Sequence, residues 1–179
     1  MAPCKPLIGM VALAVLAPAP ALAASTPSHA PQTGPLQRSL LRSRQLWATI
    51  NVCNPKDQPD WVGVRGSMPG DGQARDTLSM RFRLQYLSSR TRHWADLAST
   101  ATAGFIVVGS GSSARQEGQS FQLMPVLGRP AFDLRGVVEF QWRRGRSVLL
   151  SASRPTTAGR VSLAGADPAG FSAATCLIG

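Results

Sequence analysis

Polar and apolar residues alternate along most of this chain with a period of two, the pattern of strands buried on one face and wet on the other. The clearest stretch is 78–86, where Leu78, Met80, Phe82, Leu84 and Tyr86 share one side and Ser79, Arg81, Arg83 and Gln85 the other. Val62, Val64, Gly66 and Met68 repeat the pattern against Gly63, Arg65 and Ser67. Leu134, Gly136, Val138, Phe140 and Trp142 repeat it against Arg135, Val137, Glu139, Gln141 and Arg143. Shorter candidates are 46–53, 92–97, 104–109, 119–125 and 147–153. Turn signals separate them: Asn54-Pro55, Pro69-Gly70-Asp71-Gly72, Ser110-Gly111-Ser112, Gly128-Arg129-Pro130 and Arg144-Gly145. No segment of the domain keeps a helical stripe.

About seven or eight short strands in roughly 110 residues predict an all-β fold, an antiparallel β-sandwich of immunoglobulin or fibronectin-III type. A small β-barrel is the alternative. In the sandwich, 46–53, 60–68 and 78–87 are the first three strands. Residues 133–143 and 147–153 are then the last hairpin, turning through Arg144-Gly145.

The N-terminus follows different rules. Lys5 supplies a positive charge, Leu7 to Leu16 is an almost unbroken apolar run, Pro18 and Pro20 interrupt it, and Ala21-Leu22-Ala23 presents small residues. That order predicts a cleavable secretory signal over residues 1–23, cut after Ala23 or Ala24. The alternative, an uncleaved anchor, needs roughly 17–25 apolar residues, more than this run offers. Cys4 precedes the apolar run, so it leaves with the signal. The closing Cys176-Leu177-Ile178-Gly179 carries no apolar tail. A secreted product of the general secretory route is expected, with no transmembrane segment once the signal is gone.

Residues 24–44 hold Pro27, Pro31, Gly34 and Pro35 among Ser, Thr and Gln, and read as a flexible linker, with a brief turn of structure at Leu40-Leu41. The β-domain then spans 45–179. Within it, 154–179 reads as an ordered tail wrapping the sandwich, with Phe171 in an apolar gap. Export leaves two cysteines, Cys53 and Cys176, in an oxidising compartment. One internal disulfide between them is expected, against intermolecular pairing or two free thiols. It would join the first strand to the tail, whereas an immunoglobulin domain bridges its second and sixth strands.

Several stretches resemble a group of exported proteins from high-GC Gram-positive bacteria. They are Asn51-Val52-Cys53, Gly66 to Gly72, Met80 to Tyr86, Arg135 to Arg144, and Ala164 to Cys176. The resemblance covers most of 47–178. It implies a secreted β-domain and carries over no catalytic residue.

Catalytic chemistry finds little footing. His29 lies in the linker and His93 in a turn-like stretch, with Asp96 three residues on and no Gly-x-Ser-x-Gly elbow near any serine. One domain histidine and two distant cysteines do not make a closed zinc site. Asp57/Asp60 and Asp71/Asp76 flank the second strand without the calcium-loop spacing, and aspartates in turns commonly bend the backbone. Glu117 and Glu139 are the only glutamates, and Glu139 sits among arginines. No cofactor and no metal are expected.

Charge changes the picture more. The chain has 19 Lys and Arg against 9 Asp and Glu, for a net charge of +10. Arg81 and Arg83 project from one strand's wet face, Arg135 and Arg143 from another's, and Arg144 and Arg146 sit at its turn. In a Greek-key sandwich these strands share a sheet, making one basic face that attracts anions. The alternative is an ordinary solvated strand face whose arginines blunt aggregation. Trp61 and Trp94 are expected to cover the ends of the core. The expectation is a non-enzymatic exported binding module whose partner is an anionic cell-envelope polymer or a protein. Nucleic acid is disfavoured because few aromatics accompany the arginines. A secreted enzyme using His93 with Asp96 or the Asp57/Asp60 pair, and a secreted inhibitor, are the other readings.

Overall fold

A computed structural model describes residues 34–124, 128, 130–161 and 163–179. The expected signal and the first part of the expected linker lie outside the described residues. The elements are α1 (Pro35–Arg42), β1 (Trp47–Cys53), β2 (Trp61–Met68), β3 (Thr77–Leu87), β4 (Trp94–Asp96), α2 (Ala98–Ala101), β5 (Ile106–Ser110), β6 (Arg115–Gln122), β7 (Phe132–Arg144), β8 (Ser147–Pro155) and β9 (Cys176–Ile178).

Two antiparallel sheets result, as the period-two pattern predicts. One runs β1-β2-β6. The other is built on β3 and β7, which pair from Thr77↔Arg143 to Tyr86↔Leu134. The far edge of β3 is shared by β5 at 77–80 and β4 at 85–87. The far edge of β7 is shared by β9 at 132–134 and β8 at 137–144. Between β5 and β4 the edge is closed without a strand: the Leu84 amide donates to Thr100 Oγ1 at 2.9 Å, and the Leu97 amide donates to the Leu84 carbonyl at 2.8 Å. The one turn of α2 thus satisfies backbone groups that burial would otherwise leave unpaired.

The inward faces make one core. Ile50, Val62, Val64 and Met68 meet Met80, Phe82, Leu84, Leu134, Val138, Phe140 and Trp142, all essentially without solvent contact. Two glycines set how closely the sheets approach. A Cβ at Gly136 would lie 2.7 Å from both Val64 methyls, and one at Gly66 would lie 3.0 Å from a Val138 methyl. The alternation pattern placed both on the apolar side without revealing that they are contact points.

The sheets curl toward each other as half a barrel, so the two architectures the sequence left open merge into one. On one side the gap is covered. The Ile50 amide and carbonyl both bond to Ala173, the Ala48 carbonyl accepts from Thr157, and the Asn51 carbonyl accepts from Asp167. The tail thereby occupies the outer edge of β1, an edge that left bare would invite pairing with other chains. Phe171 packs against the core, as expected. On the other side, among the described residues, β5 pairs only with β3 and β6 only with β2.

Residues 35–42, read from composition as flexible linker, form a helix that belongs to the domain. Leu40 is buried in the core, Gln37 Nε2 donates to the Leu149 carbonyl at 2.9 Å, and Arg154 Nη2 donates to the Leu41 carbonyl at 2.8 Å. Eight residues are too few to be helical on propensity alone. Docking holds this helix, and docking leaves little trace in so short a stretch. Cys53 and Cys176 are bonded, with Cα atoms 5.5 Å apart, joining β1 of one sheet to β9 of the other.

Candidate binding face

The register of β3 against β7 decides what the arginines do. Arg81 stands opposite Glu139, Gln85 opposite Arg135, and Ser79 opposite Gln141 on the outer face of the six-stranded sheet. Cross-strand neighbours of this kind interact directly. One Glu139 oxygen accepts from Arg81 through Nε at 3.0 Å and through Nη2. Its other oxygen accepts from Arg83, through Nε at 2.9 Å and Nη2 at 2.7 Å. Arg83 Nη1 also reaches Asp96 on β4 at 2.5 Å, and Gln85 Nε2 donates to the same Asp96 oxygen at 2.9 Å. Two guanidinium groups and two carboxylates therefore neutralise each other in the middle of the face.

The ends differ. Arg135 donates from Nε to the neutral Gln85 amide oxygen at 2.8 Å, and its guanidinium lies 4.5 Å from the ring centre of Trp94. Burial there lowers its pKa from the ordinary arginine value. Arg143 donates to the Gln141 amide oxygen at 2.7 Å and to the Arg146 carbonyl at 3.1 Å. Neither guanidinium meets a carboxylate among the described residues, and both are held in place. Eight residues of strand put their backbones about 27 Å apart.

The expectation that Arg81, Arg83, Arg135, Arg143, Arg144 and Arg146 form one basic face is thus corrected in two respects. Arg81 and Arg83 do share the face with Arg135 and Arg143, but Glu139 and Asp96 compensate their charge. Arg144 leaves the face. β7 runs in unbroken register against β3 up to Arg143, so Arg144 falls on the Trp142 side of the strand, where it donates two hydrogen bonds, at 2.7 and 2.8 Å, to the Asp76 carboxylate. Arg146 is exposed at the turn. Trp94 does not cover the end of the core. It lies on the outer face beneath Arg135.

A shallow groove of about 280 Å³ crosses the face between these ends, lined by Phe105, Glu139, Gln141, Ser151 and Ser153 among others. Arg81 sits 5.1 Å from the Phe105 ring centre. Phe105 escaped sequence reasoning because it falls in a candidate strand whose alternation did not assign it a side. Ser151 and Ser153 escaped because serines on a wet face are unremarkable until the neighbouring strand is known.

The other candidates come apart or turn structural. His93 is exposed and, among the described residues, hydrogen-bonds only through its backbone, while Asp96 is engaged by Arg83 and Gln85, so the two side chains are not paired there. Asp57 and Asp60 lie in the β1–β2 loop, where the Asp60 amide donates to Asn54 Oδ1 at 2.8 Å. Among the described residues no three His, Cys, Asp or Glu side chains come together to hold a metal ion. No helix there is long and apolar enough to cross a membrane. Arg65, Arg115 and Arg160 each bury an Nε without a hydrogen-bond partner among the described residues. Arg160 lies 5.5 Å from the Trp47 ring centre.

Asp71 and Asp76 do meet, in a second recess of about 180 Å³ that also includes Gln37, Trp142 and Arg144. Hydrogen bonds from Arg144 hold Asp76 below the usual aspartate value, whereas burial and the neighbouring Asp76 carboxylate push Asp71 above it. The signs are opposite. Asp76 has a lower pKa folded than unfolded, so its stabilisation is complete above the ordinary value of 3.8 and is lost as the pH falls through and below it. Ionised Asp71 is penalised by folding, and that penalty is relieved as it protonates. Urea midpoints measured from about pH 7 to pH 3 should therefore show Asp76→Asn less stable at neutral pH with a flatter decline in acid, and Asp71→Asn more stable at neutral pH. A neutral-pH gain for Asp76→Asn would refute the assignment.

Comparison of this chain with known protein families, with curated proteins and with solved structures finds no match.

Proposed function

We propose that this chain is an exported, non-enzymatic binding module that holds an anionic polymer along the outer face of its six-stranded sheet. The secretory signal at residues 1–23, the resemblance to exported proteins of high-GC Gram-positive bacteria, and a disulfide that suits an oxidising compartment support the location. The carrying observation is the pair of charged ends. Arg135 and Arg143 are oriented by Gln85 and Gln141, neutral amides that leave the guanidinium charge available to a ligand. Arginine's planar fork suits carboxylate and phosphate groups, and side chains already held in position lose less entropy on binding.

The test is a salt series of binding between the oxidised protein and soluble polyanions. Arg135→Glu/Arg143→Glu should cost at least about tenfold in affinity, equivalent to about 1.4 kcal/mol, and flatten the salt dependence. Arg65→Glu/Arg160→Glu, which alters charge on the other sheet and tail, should leave most of the binding intact. Equal losses in the two variants would mean that net charge rather than this face attracts the polymer.

A further inference from the structure

We infer that the groove beside Phe105 is a sugar-ring subsite, so that the polymer held between Arg135 and Arg143 is an acidic polysaccharide. This rests on the reading of the outer face as a polyanion site and narrows it by chemistry.

The argument begins with charge. Between the two cationic ends the face is neutral, because Glu139 and Asp96 match Arg81 and Arg83. A polymer charged on every monomer unit, such as polyphosphate, would set anions against Glu139, which is half-buried and already saturated by two guanidinium groups. Like charges brought together in a partly desolvated site repel. A chain whose anionic groups are separated by hydroxyl-rich stretches avoids that conflict.

The groove offers what such a stretch requires. Glu139 stands opposite Ser153 and Gln141 opposite Ser151 in the β7–β8 ladder. The polar groups therefore come in adjacent pairs on a rigid surface. The Ser151 and Ser153 hydroxyls make no hydrogen bond within the described residues, and Gln141 uses its amide oxygen on Arg143 but not its amide nitrogen. Free donors and acceptors thus line the floor, and Phe105 adds an aromatic surface beside them. A pyranose ring has the matching duality: hydroxyls around its rim for the serines and the amide, and a C–H face for an aromatic ring. Its volume, about 280 Å³, lies near the lower end of small-molecule clefts at roughly 300 Å³. That suits one unit of an extended chain.

The experiment titrates the oxidised protein at physiological ionic strength with hyaluronate, whose carboxylates are separated by neutral sugars, and with polyphosphate of equal total charge. Hyaluronate should bind at least about tenfold more tightly. Phe105→Ala should erase that preference while leaving the polyphosphate affinity unchanged. Ser151→Leu, which fills the groove from an exposed strand position and spares the core, should do the same if Phe105→Ala proves unstable. Equal affinities for the two polymers in the native protein, or a preference that survives both substitutions, would overturn the sugar subsite while leaving the polyanion face standing. Absence of binding to either polymer would overturn both.

Discussion

Serine at Cys53 and Cys176 should lower the unfolding free energy by about 4–5 kcal/mol in urea titrations under non-reducing conditions. The estimate follows from the 123-residue separation of the two cysteines, because a cross-link restricts the unfolded chain more the longer the loop it closes. Against a typical domain stability of about 5–15 kcal/mol this is about a quarter of the total or more. The effect has a local side as well. The bond ties β1 to β9, and the tail before β9 is the segment that satisfies the Ile50 and Asn51 backbone groups. Amide exchange at Ile50 and Ala173 should therefore accelerate more than exchange at Phe82 or Val138 in the reduced protein. A loss below about 1 kcal/mol would mean that the tail's own hydrogen bonds hold it in place without the bond.

Trp142→Ala should cost about 3–5 kcal/mol, the range for truncating a large buried aromatic. The side chain is 1% exposed, and its indole N–H donates to the Pro69 carbonyl at 2.9 Å in the buried interior. Truncation loses both the packing and the partner of that carbonyl. Trp142→Phe separates the two contributions: it retains most of the ring and should cost about 1–3 kcal/mol for the carbonyl left unpaired. Urea midpoints with unchanged slopes would report both losses cleanly. If alanine and phenylalanine were equally harmful, the hydrogen bond rather than the packing would be what Trp142 contributes to this end of the sandwich.

How much of this was legible in the sequence depended on how many faces of each strand are buried. β3 alternates without a fault because one side meets the core and the other meets water, so its residues could be assigned in advance. β6 is an edge strand exposed on both sides, and its Arg-Gln-Glu-Gly-Gln-Ser-Phe-Gln run carries no such signal. The sequence placed it at 119–125, whereas the strand is Arg115–Gln122, held by the edge of β2. β9 has three residues, fewer than a periodicity can mark. The helix at 35–42 was hidden for the same reason, since only Leu40 of its residues is buried.

The arginines show the same division at the candidate site. Which strand face carries Arg81, Arg83, Arg135 and Arg143 follows from alternation alone. Their charge state as a group does not, because Glu139 is 58 residues from Arg81 in the chain and reaches it only through the β3–β7 register. The sequence reading joins Arg144 to the face through its place at the turn. Alternation alone puts it on the Trp142 side of β7, opposite to Arg143, and there it meets Asp76, 68 residues away in the chain.

The sequence by itself thus determined the β architecture, the buried face of each two-sided strand and the pairing of Cys53 with Cys176 as the expected internal bond. These follow from local periodicity and from having two cysteines in the domain. Only the tertiary structure decided that the centre of the arginine face is neutral, that its charge survives at Arg135 and Arg143, and that a groove opens between them. Those properties depend on residues far apart in the chain meeting in a particular register, and the free energy that selects the register is shared across both sheets rather than carried by any one segment.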